Sequence, residues 1–320
     1  MADVAAAAGV SGQTVSRVVN DSPRVDPVTR ARVEQAMTDL GYRPHRAARA
    51  LRTGRTDTIG LVVSTLATVG NSRMLQAIAD AAAAGGYALA VVTASGRDAA
   101  HDAFARLHEQ GVDGAIVLNE ATALARTVAV PPGLALVVVD SPADDRYTVV
   151  QTDHAAGARV ATEALLSGGH RAVHHLRGPA GSFAAAERER GWREALDAAG
   201  VAVPDVLQGD WSAASGYRAA QDLPEAATAV FAANDQMALG ALRALADAGR
   251  DVPADVSVIG FDDIADAAEF RPPLSTVHQE FDALGVAAVT ALVARIAGET
   301  PPGTTLMPRL VLRGSTAARD

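Results

Sequence analysis

From Thr58 onward, short apolar runs alternate with longer amphipathic stretches, and this pattern restricts the fold more than any other feature. Residues 59–63, 88–92, 115–118 and 134–139 read as strands, with helices expected over 72–84 and 99–110. After Val149 the alternation resumes. Helices are expected over 155–166, 188–199, 213–223 and 236–248, and strands over 172–176, 229–232 and 256–259. Apolar strands joined by helices build parallel sheets covered on both faces. Roughly 250 residues of this pattern exceed one small sheet, which implies two lobes with a cleft between them. Ligands in such folds sit beyond the carboxyl ends of strands. Asp140, Asn234-Asp235 and Asp262-Asp263 fall at such ends.

The first 55 residues follow another pattern. Residues 4–8 form a short alanine-rich helix that Gly9 ends, because glycine adopts left-handed angles without a Cβ clash. Ser11 can cap a second helix, which carries Val15, Val18 and Val19 on one face. Gly12, Gln13, Ser16, Arg17 and Asn20 are left outside. Two short helices around a tight glycine turn make a helix-turn-helix pattern, or an ordinary helical hairpin. Gln can read adenine and Arg guanine in a major groove, and either can grip phosphate. Asp26-Pro27 opens a third helix with Val33, Ala36, Met37 and Leu40 on one face, and Gly41 ends it. A basic stretch follows, in which Pro44 breaks the path and residues 47–51 fit one or two helical turns, too short to stand alone. It reads as a basic linker, or as a hinge that folds on DNA with Leu51 as a minor-groove wedge.

Charge separates the two parts. The net charge is −9, yet residues 1–55 hold nine Arg against five acids, a net of +4, and the remainder carries −13. A basic head on an acidic body points to one module for phosphate and another for a different ligand. With no cysteine, thiolate catalysis and disulfides are excluded. No apolar stretch has the length of a bilayer span and no secretory signal stands at Met1, so a cytoplasmic protein is expected.

Together these residues resemble the lac repressor family of bacterial transcription regulators. The resemblance runs from Asp3 to about Ser315. In the head it rests on Asp3-Val-Ala, Gly9-Val-Ser, Thr14-Val-Ser-Arg-Val-Val-Asn20 and Leu40-Gly-Tyr-Arg-Pro-His-Arg-Ala-Ala-Arg-Ala-Leu51. In the body it rests on Gly169-His-Arg, Gly191-Trp192, Gly209-Asp-Trp-Ser-Ala-Ala-Ser-Gly-Tyr217, Ala233-Asn-Asp-Gln-Met-Ala-Leu-Gly240, Asp255-Val-Ser-Val-Ile-Gly-Phe-Asp-Asp263 and Pro273-Leu-Ser-Thr-Val277. The resemblance implies an all-α helix-turn-helix headpiece with a hinge helix, then an α/β core of two parallel-sheet lobes like periplasmic sugar-binding proteins. The expected divisions are 1–44, 45–56 and 57–320, with lobes over 57–152 plus 281–308 and 153–277 plus 309–320.

The resemblance further implies a homodimer on a near-palindromic double-stranded operator and a sugar effector in the cleft. No cofactor, metal, catalytic residue or membrane contact is implied. By position, Gln13, Thr14, Ser16, Arg17 and Asn20, with Arg46, Ala47 and Leu51 of the hinge, resemble DNA-contacting residues. Ser64, Asp140, Arg188, Trp211, Asn234, Asp262 and Gln279 resemble the effector pocket. Their chemistry suits a sugar. Trp211 offers a flat apolar face, Arg188 and Asp262 offer charged bidentate partners, and Asn234 and Gln279 both donate and accept. Each also has a plain structural reading: Trp211 as core, Arg188 as an exposed helix residue, Asp262 as a turn former.

Two departures stand out. Gly12 occupies a position where the family carries a larger side chain, and glycine cannot read a base edge. The chain also begins only two residues before Asp3, where the family carries a few more, including a hydroxyl residue that caps the first helix; whether the true start lies upstream of Met1 is left open by the sequence. It ends at Asp320 without a terminal heptad helix, so a dimer rather than a tetramer is expected.

Other functions find less support. The pairs Asp262-Asp263 and Glu187 with Glu189 suggest acid–base catalysis, but no positioned nucleophile accompanies them. His174 and His175 point to opposite faces of a strand, which suits no metal, with or without His170. Gly178-Pro-Ala-Gly181 is weak as a phosphate loop. An exported sugar-binding protein would not carry the basic head. A purine effector would favour an aromatic between Leu61 and Ile78, where none occurs. A co-repressor, or an effector other than a sugar, remains the alternative within the family.

Overall fold

In a computed structural model of the chain, the described residues are 1–20, 22–42, 54–94, 96–126, 128 and 130–319. They form two units, Met1–Thr56 and Asp57–Asp320.

The first unit contains helices α1 (Ala2–Ala8), α2 (Gly12–Val19) and α3 (Pro27–Asp39). Gly9 ends α1 at φ 62°, a left-handed conformation that glycine adopts without strain. The Ser11 hydroxyl accepts from Thr14 N, and the Asp26 carboxylate from Thr29 N, so each satisfies an otherwise orphaned helix N–H. Val4, Ala8, Val15, Val18, Val33 and Ala36 make the core. Arg32 reaches from α3 to the Ala8 carbonyl at 2.8 Å, closing the end of α1. Leu40 is 50% exposed, because α3 ends at Asp39 and Leu40 lies past its last turn.

The second unit is built on two six-stranded sheets. The first lobe begins with β1 (Thr58–Val63), α4 (Val69–Ala84), β2 (Ala88–Thr93) and α5 (Arg97–Glu109). It continues with β3 (Gly114–Leu118), α6 (Glu120–Ala125), β4 (Ala135–Val139) and β5 (Thr148–Thr152). The chain then crosses to the second lobe. There it forms α7 (His154–Ser167), β6 (His174–Arg177), α8 (Phe183–Ala198), β7 (Leu207–Gln208) and α9 (Ala213–Gln221). Next come β8 (Ala229–Ala232), α10 (Asp235–Asp247), β9 (Ser257–Asp262) and β10 (Ser275–His278). It returns with α11 (Phe281–Ile296) and β11 (Thr304–Leu306), and crosses a third time into β12 (Arg309–Val311).

The strand orders are β11-β5-β4-β3-β1-β2 and β12-β10-β9-β8-β6-β7. All pairings are parallel except β10 with β12. The order reverses at β1/β3 in one sheet and at β6/β8 in the other, and such reversals open crevices at the carboxyl ends of strands. Each sheet is covered on both faces. Ile59 and Val137 face Ile78 and Leu292, whereas Val62 and Val138 face Phe104 and Leu107. In the second lobe, Val230 faces Met237 and Phe231 faces Trp192.

Several elements depart from the periodicity reading. Strand β5 reads Thr-Val-Val-Gln-Thr, with only two adjacent apolar residues, and so presents no apolar run. Helix α8 starts at Phe183 rather than 188. Ser182 caps it, and the Ala-rich first turn hides its period. No element is expected after residue 259, yet α11 lies there. It is apolar even on its outer side, with Val286 55% exposed, so it shows no polar stripe from which to read a helical period.

Candidate functional site

Two regions gather the residues singled out above. On α2, Gln13 and Arg17 are exposed one helical turn apart and share a face. Thr14, Ser16 and Asn20 are turned to local work. The Thr14 hydroxyl lies 3.0 Å from that of Ser11, and Asn20 Nδ2 donates to the Ser16 carbonyl at 2.6 Å. A Cβ at Gly12 would meet no heavy atom within 4 Å, so a side chain fits there. Arg46, Ala47 and Leu51 lie outside the described residues.

The second region is a cleft between the two sheets. Asp140, Arg188, Trp211, Asn234, Asp262 and Gln279 line it. Ser64 does not line it; its hydroxyl lies behind the wall and donates to Glu120 at 3.4 Å. The positions follow from topology. Asp140 follows β4, Asn234 follows β8, Asp262 ends β9 and Gln279 follows β10. Asp140 (φ 55°), Trp211 (φ 73°) and Asp262 (φ 114°) sit in the left-handed region, which non-glycine residues occupy at a cost and which clusters at functional sites.

The floor of the cleft is a closed ring of polar groups. Thr152 Oγ1 donates to Gln279 Oε1 at 2.9 Å, and Gln279 Nε2 donates to Asp262 Oδ1 at 2.6 Å. Arg188 lies 3.5 Å from the same Asp262 oxygen and donates to His154 Nδ1 at 3.3 Å. Arginine only donates, so Nδ1 of His154 accepts and its proton sits on Nε2. That Nε2 faces Asp140 Oδ1 at 3.0 Å, outside good hydrogen-bond alignment. Asp140 Oδ1 accepts from Thr152 N at 3.2 Å, which closes the ring. Thr152, His154 and Gln279 stand at two of the three crossings between lobes, so the ring ties cleft to hinge.

Arg188 is 4% exposed, which excludes the surface-arginine reading. It also donates to the Ala233 carbonyl, and its guanidinium lies over the rings of Phe261 at 3.8 Å and Trp211 at 5.4 Å. Burial pulls its pKa below the usual arginine value, against the pull of Asp262, Asp140, Asp235 and Glu120. Burial also raises the Asp262 carboxyl, although Arg188 and the Gln279 hydrogen bond oppose it. Asp235, behind the wall, is pushed well above the carboxylate range by burial and by Asp262.

Trp211 is half-buried, and its indole lies directly on Gly178, where any Cβ would overlap the ring. Its Nε1 donates to Glu120 Oε1 across the cleft at 3.0 Å. Asn234 caps α10 by accepting from Met237 N at 2.9 Å, and its Nδ2 donates to the Trp211 carbonyl at 3.1 Å. Among the lining and ring residues that escaped the sequence reading are Asn119, Glu120, Thr152, His154 and Phe281. Asn119-Glu120 directly follows strand β3, so the strand-end rule that found Asp140 also points to them.

The paired carboxylates are held in ion pairs. Glu187 meets Arg190 at 2.6 Å, Glu189 meets Arg177 at 2.6 Å and Asp263 meets Arg313 at 2.6 Å. His175 stacks on Phe231 and donates Nδ1–H to its carbonyl at 3.0 Å, while His170 lies between the hydroxyls of Thr228 and Ser257. Among the described residues no group of three His, Cys, Asp or Glu is placed to hold a metal, and no helix is long and apolar enough to cross a membrane.

Residues 1–45 match the family model described as bacterial regulatory proteins, lacI family. Residues 162–316 match a periplasmic binding protein-like domain. The chain is 38% identical to the lactose operon repressor of Escherichia coli over 327 residues, covering 99% of this chain and 90% of the repressor. It belongs to the lacI family of bacterial regulatory proteins. Among solved structures, the lac repressor dimer bound to operator and the anti-inducer ONPF superposes with a TM-score of 0.88, at 35% identity over 99% of this chain and 98% of that one. The complex of the regulator CelR with cellobiose superposes with a TM-score of 0.75, at 35% identity over 98% of both chains. The lacI-family fold, a helix-turn-helix domain followed by two parallel-sheet lobes, is the one described above.

Proposed function

We propose that this lacI-family protein is a homodimeric transcriptional repressor that leaves a near-palindromic operator when a sugar binds its cleft. The observation that carries this reading is the buried Arg188–Asp262 pair beneath the face of Trp211. A sugar ring has one apolar face and a rim of hydroxyls. Trp211 meets the face, while Arg188, Asp262 and Asp140 meet neighbouring hydroxyls. The structure of CelR in complex with cellobiose supports a carbohydrate as the effector, and that of the lac repressor dimer on operator supports the DNA partner.

In the head, Gln13 and Arg17 read base edges, and Arg46, Ala47 and Leu51 act at the hinge. The protein works in the cytoplasm. Both lobes supply walls of the cleft, so a ligand that touches both favours one disposition of the lobes. It can shift the operator equilibrium only by its difference in affinity for the two states.

The test is a screen of neutral mono- and disaccharides by thermal shift, followed by operator binding with each sugar that stabilises the protein. A ligand at about a hundred times its dissociation constant adds about 2.7 kcal/mol, a visible shift. Release of operator by a stabilising sugar supports the reading. A sugar that strengthens operator binding would reverse the direction of control, and stabilisation by no sugar would defeat the proposal.

A further inference from the structure

The wall of the cleft is unbalanced in charge. Four carboxylates, those of Asp262, Asp140, Asp235 and Glu120, act on one guanidinium, that of Arg188. Asp235 lies behind the wall, where burial favours its neutral form. Three acids then face one cation, which is already engaged by Asp262, His154 and the Ala233 carbonyl. Glu120 differs from the other two. Asp262 faces Arg188 and Asp140 faces His154, but Glu120 accepts from two neutral donors, Trp211 Nε1 at 3.0 Å and Ser64 Oγ at 3.4 Å. It stands on the opposite lobe from Trp211, at the mouth of the stacking face, and is half-buried. A carboxylate accepts about four hydrogen bonds and donates none, so acceptor capacity remains for a ligand.

We propose that Glu120 sets the charge class of the effector. The sugar that the cleft prefers carries a protonated amine where it meets Glu120 and Trp211, a neutral sugar binds less tightly, and a carboxylated or phosphorylated sugar is rejected. The physical reason is the local dielectric. Between two protein walls, a ligand anion meets Glu120, Asp140 and Asp262 with little solvent screening, and among the described residues lining the cleft no second cation answers it. An ammonium group in the same place gains a charge-assisted hydrogen bond, about twice as strong as a neutral one. A neutral hydroxyl donates to Glu120 without that gain, which places it between the two. This inference rests on the sugar-binding reading above and deepens it.

The experiment is calorimetric titration of the full chain with two matched sets. One is galactose, galactosamine and galacturonate; the other is glucose, glucosamine and glucuronate. The pH is chosen so that both amine and acid are charged. In the parent protein, the amine of the preferred set is expected to bind at least about tenfold tighter than the acid, with the neutral sugar between them. Glu120→Gln keeps an acceptor for the Trp211 N–H and removes the charge. It is expected to shrink the amine-to-acid ratio by roughly fivefold or more. An acid that binds as tightly as its amine in the parent overturns the proposal. So does an unchanged ratio in Glu120→Gln. If a neutral sugar binds but charge makes no difference, only the role of Glu120 fails. If none of the six binds, this inference is overturned for monosaccharides of either series, while the sugar reading is decided separately by the wider thermal-shift screen of mono- and disaccharides.

Discussion

Arg188→Met is the perturbation whose cost follows most directly from the structure. Methionine keeps most of the apolar stem beside Phe261 and removes the guanidinium. Asp262, 5% exposed, then keeps Gln279 as its donor and loses its cation. The Ala233 carbonyl and His154 Nδ1 lose a donor as well. Breaking a buried ion pair by removing one partner costs about 3–5 kcal/mol, so about 4 kcal/mol is expected. The loss depends on pH. In the variant the folded Asp262 carboxyl, already raised by burial, rises further without Arg188. Above the parent's own raised Asp262 pKa the variant still holds a proton that the parent has released, so the deficit relative to the parent grows from that point toward neutrality. Adding Asp262→Asn removes the stranded charge and is expected to restore about 2 kcal/mol. Urea unfolding followed by tryptophan fluorescence reads this directly, since the chain has two tryptophans, Trp192 and Trp211, both in the second unit. A loss below about 1 kcal/mol, with no pH dependence, would refute the claim that this pair is buried and mutually dependent.

Burial of His175 pushes its pKa down to about 4. The unfolded chain binds more protons than the native one between that value and about 6.5, so up to about 3 kcal/mol is present above this window and lost as pH falls through it. His175→Phe should flatten that part of the stability–pH curve, and an unchanged slope would count against the assignment. Gly178→Ala should displace the Trp211 indole and weaken effector binding by tenfold or more on the scale of a lost anchor of about 2 kcal/mol, with operator affinity retained, as measured by anisotropy. Gly12→Ala should stabilise the head by roughly 0.5 kcal/mol, because the position is open and only chain entropy changes; a destabilisation in thermal melts would show a contact that the structure lacks.

The alternation of apolar runs located the strands well where they are fully buried, as in β3 and β8, because a parallel strand covered on both faces is continuously apolar. It failed for β5 and α11, where the pairing partner or the packing surface, rather than the local period, decides the element. The cleft shows the same division. Asp140, Asn234 and Asp262 were legible because they end strands. Their partners were not, since the ring from Thr152 through Gln279, Asp262, Arg188 and His154 to Asp140 closes over sequence separations as large as 127 residues. His154 was hidden because it follows β5, whose polar ends leave no apolar run to mark a strand end. Glu120 obeyed the strand-end rule, but only its distance to Trp211 gives it a role. Leu51 and its basic neighbours keep the reading that the sequence resemblance supplies.

The central claim is that occupation of the Arg188–Trp211 cleft by a sugar is what loosens the grip on DNA. The direct measurement is anisotropy of a labelled operator fragment with the full chain, titrated with a sugar that stabilises the parent, for the parent and for Trp211→Ala side by side. The account predicts equal operator affinity for both proteins without sugar. It further predicts release of the parent and continued occupancy by Trp211→Ala at the same sugar concentration, with a loss in sugar affinity of about 2 kcal/mol. Release of both proteins at one sugar concentration would contradict it.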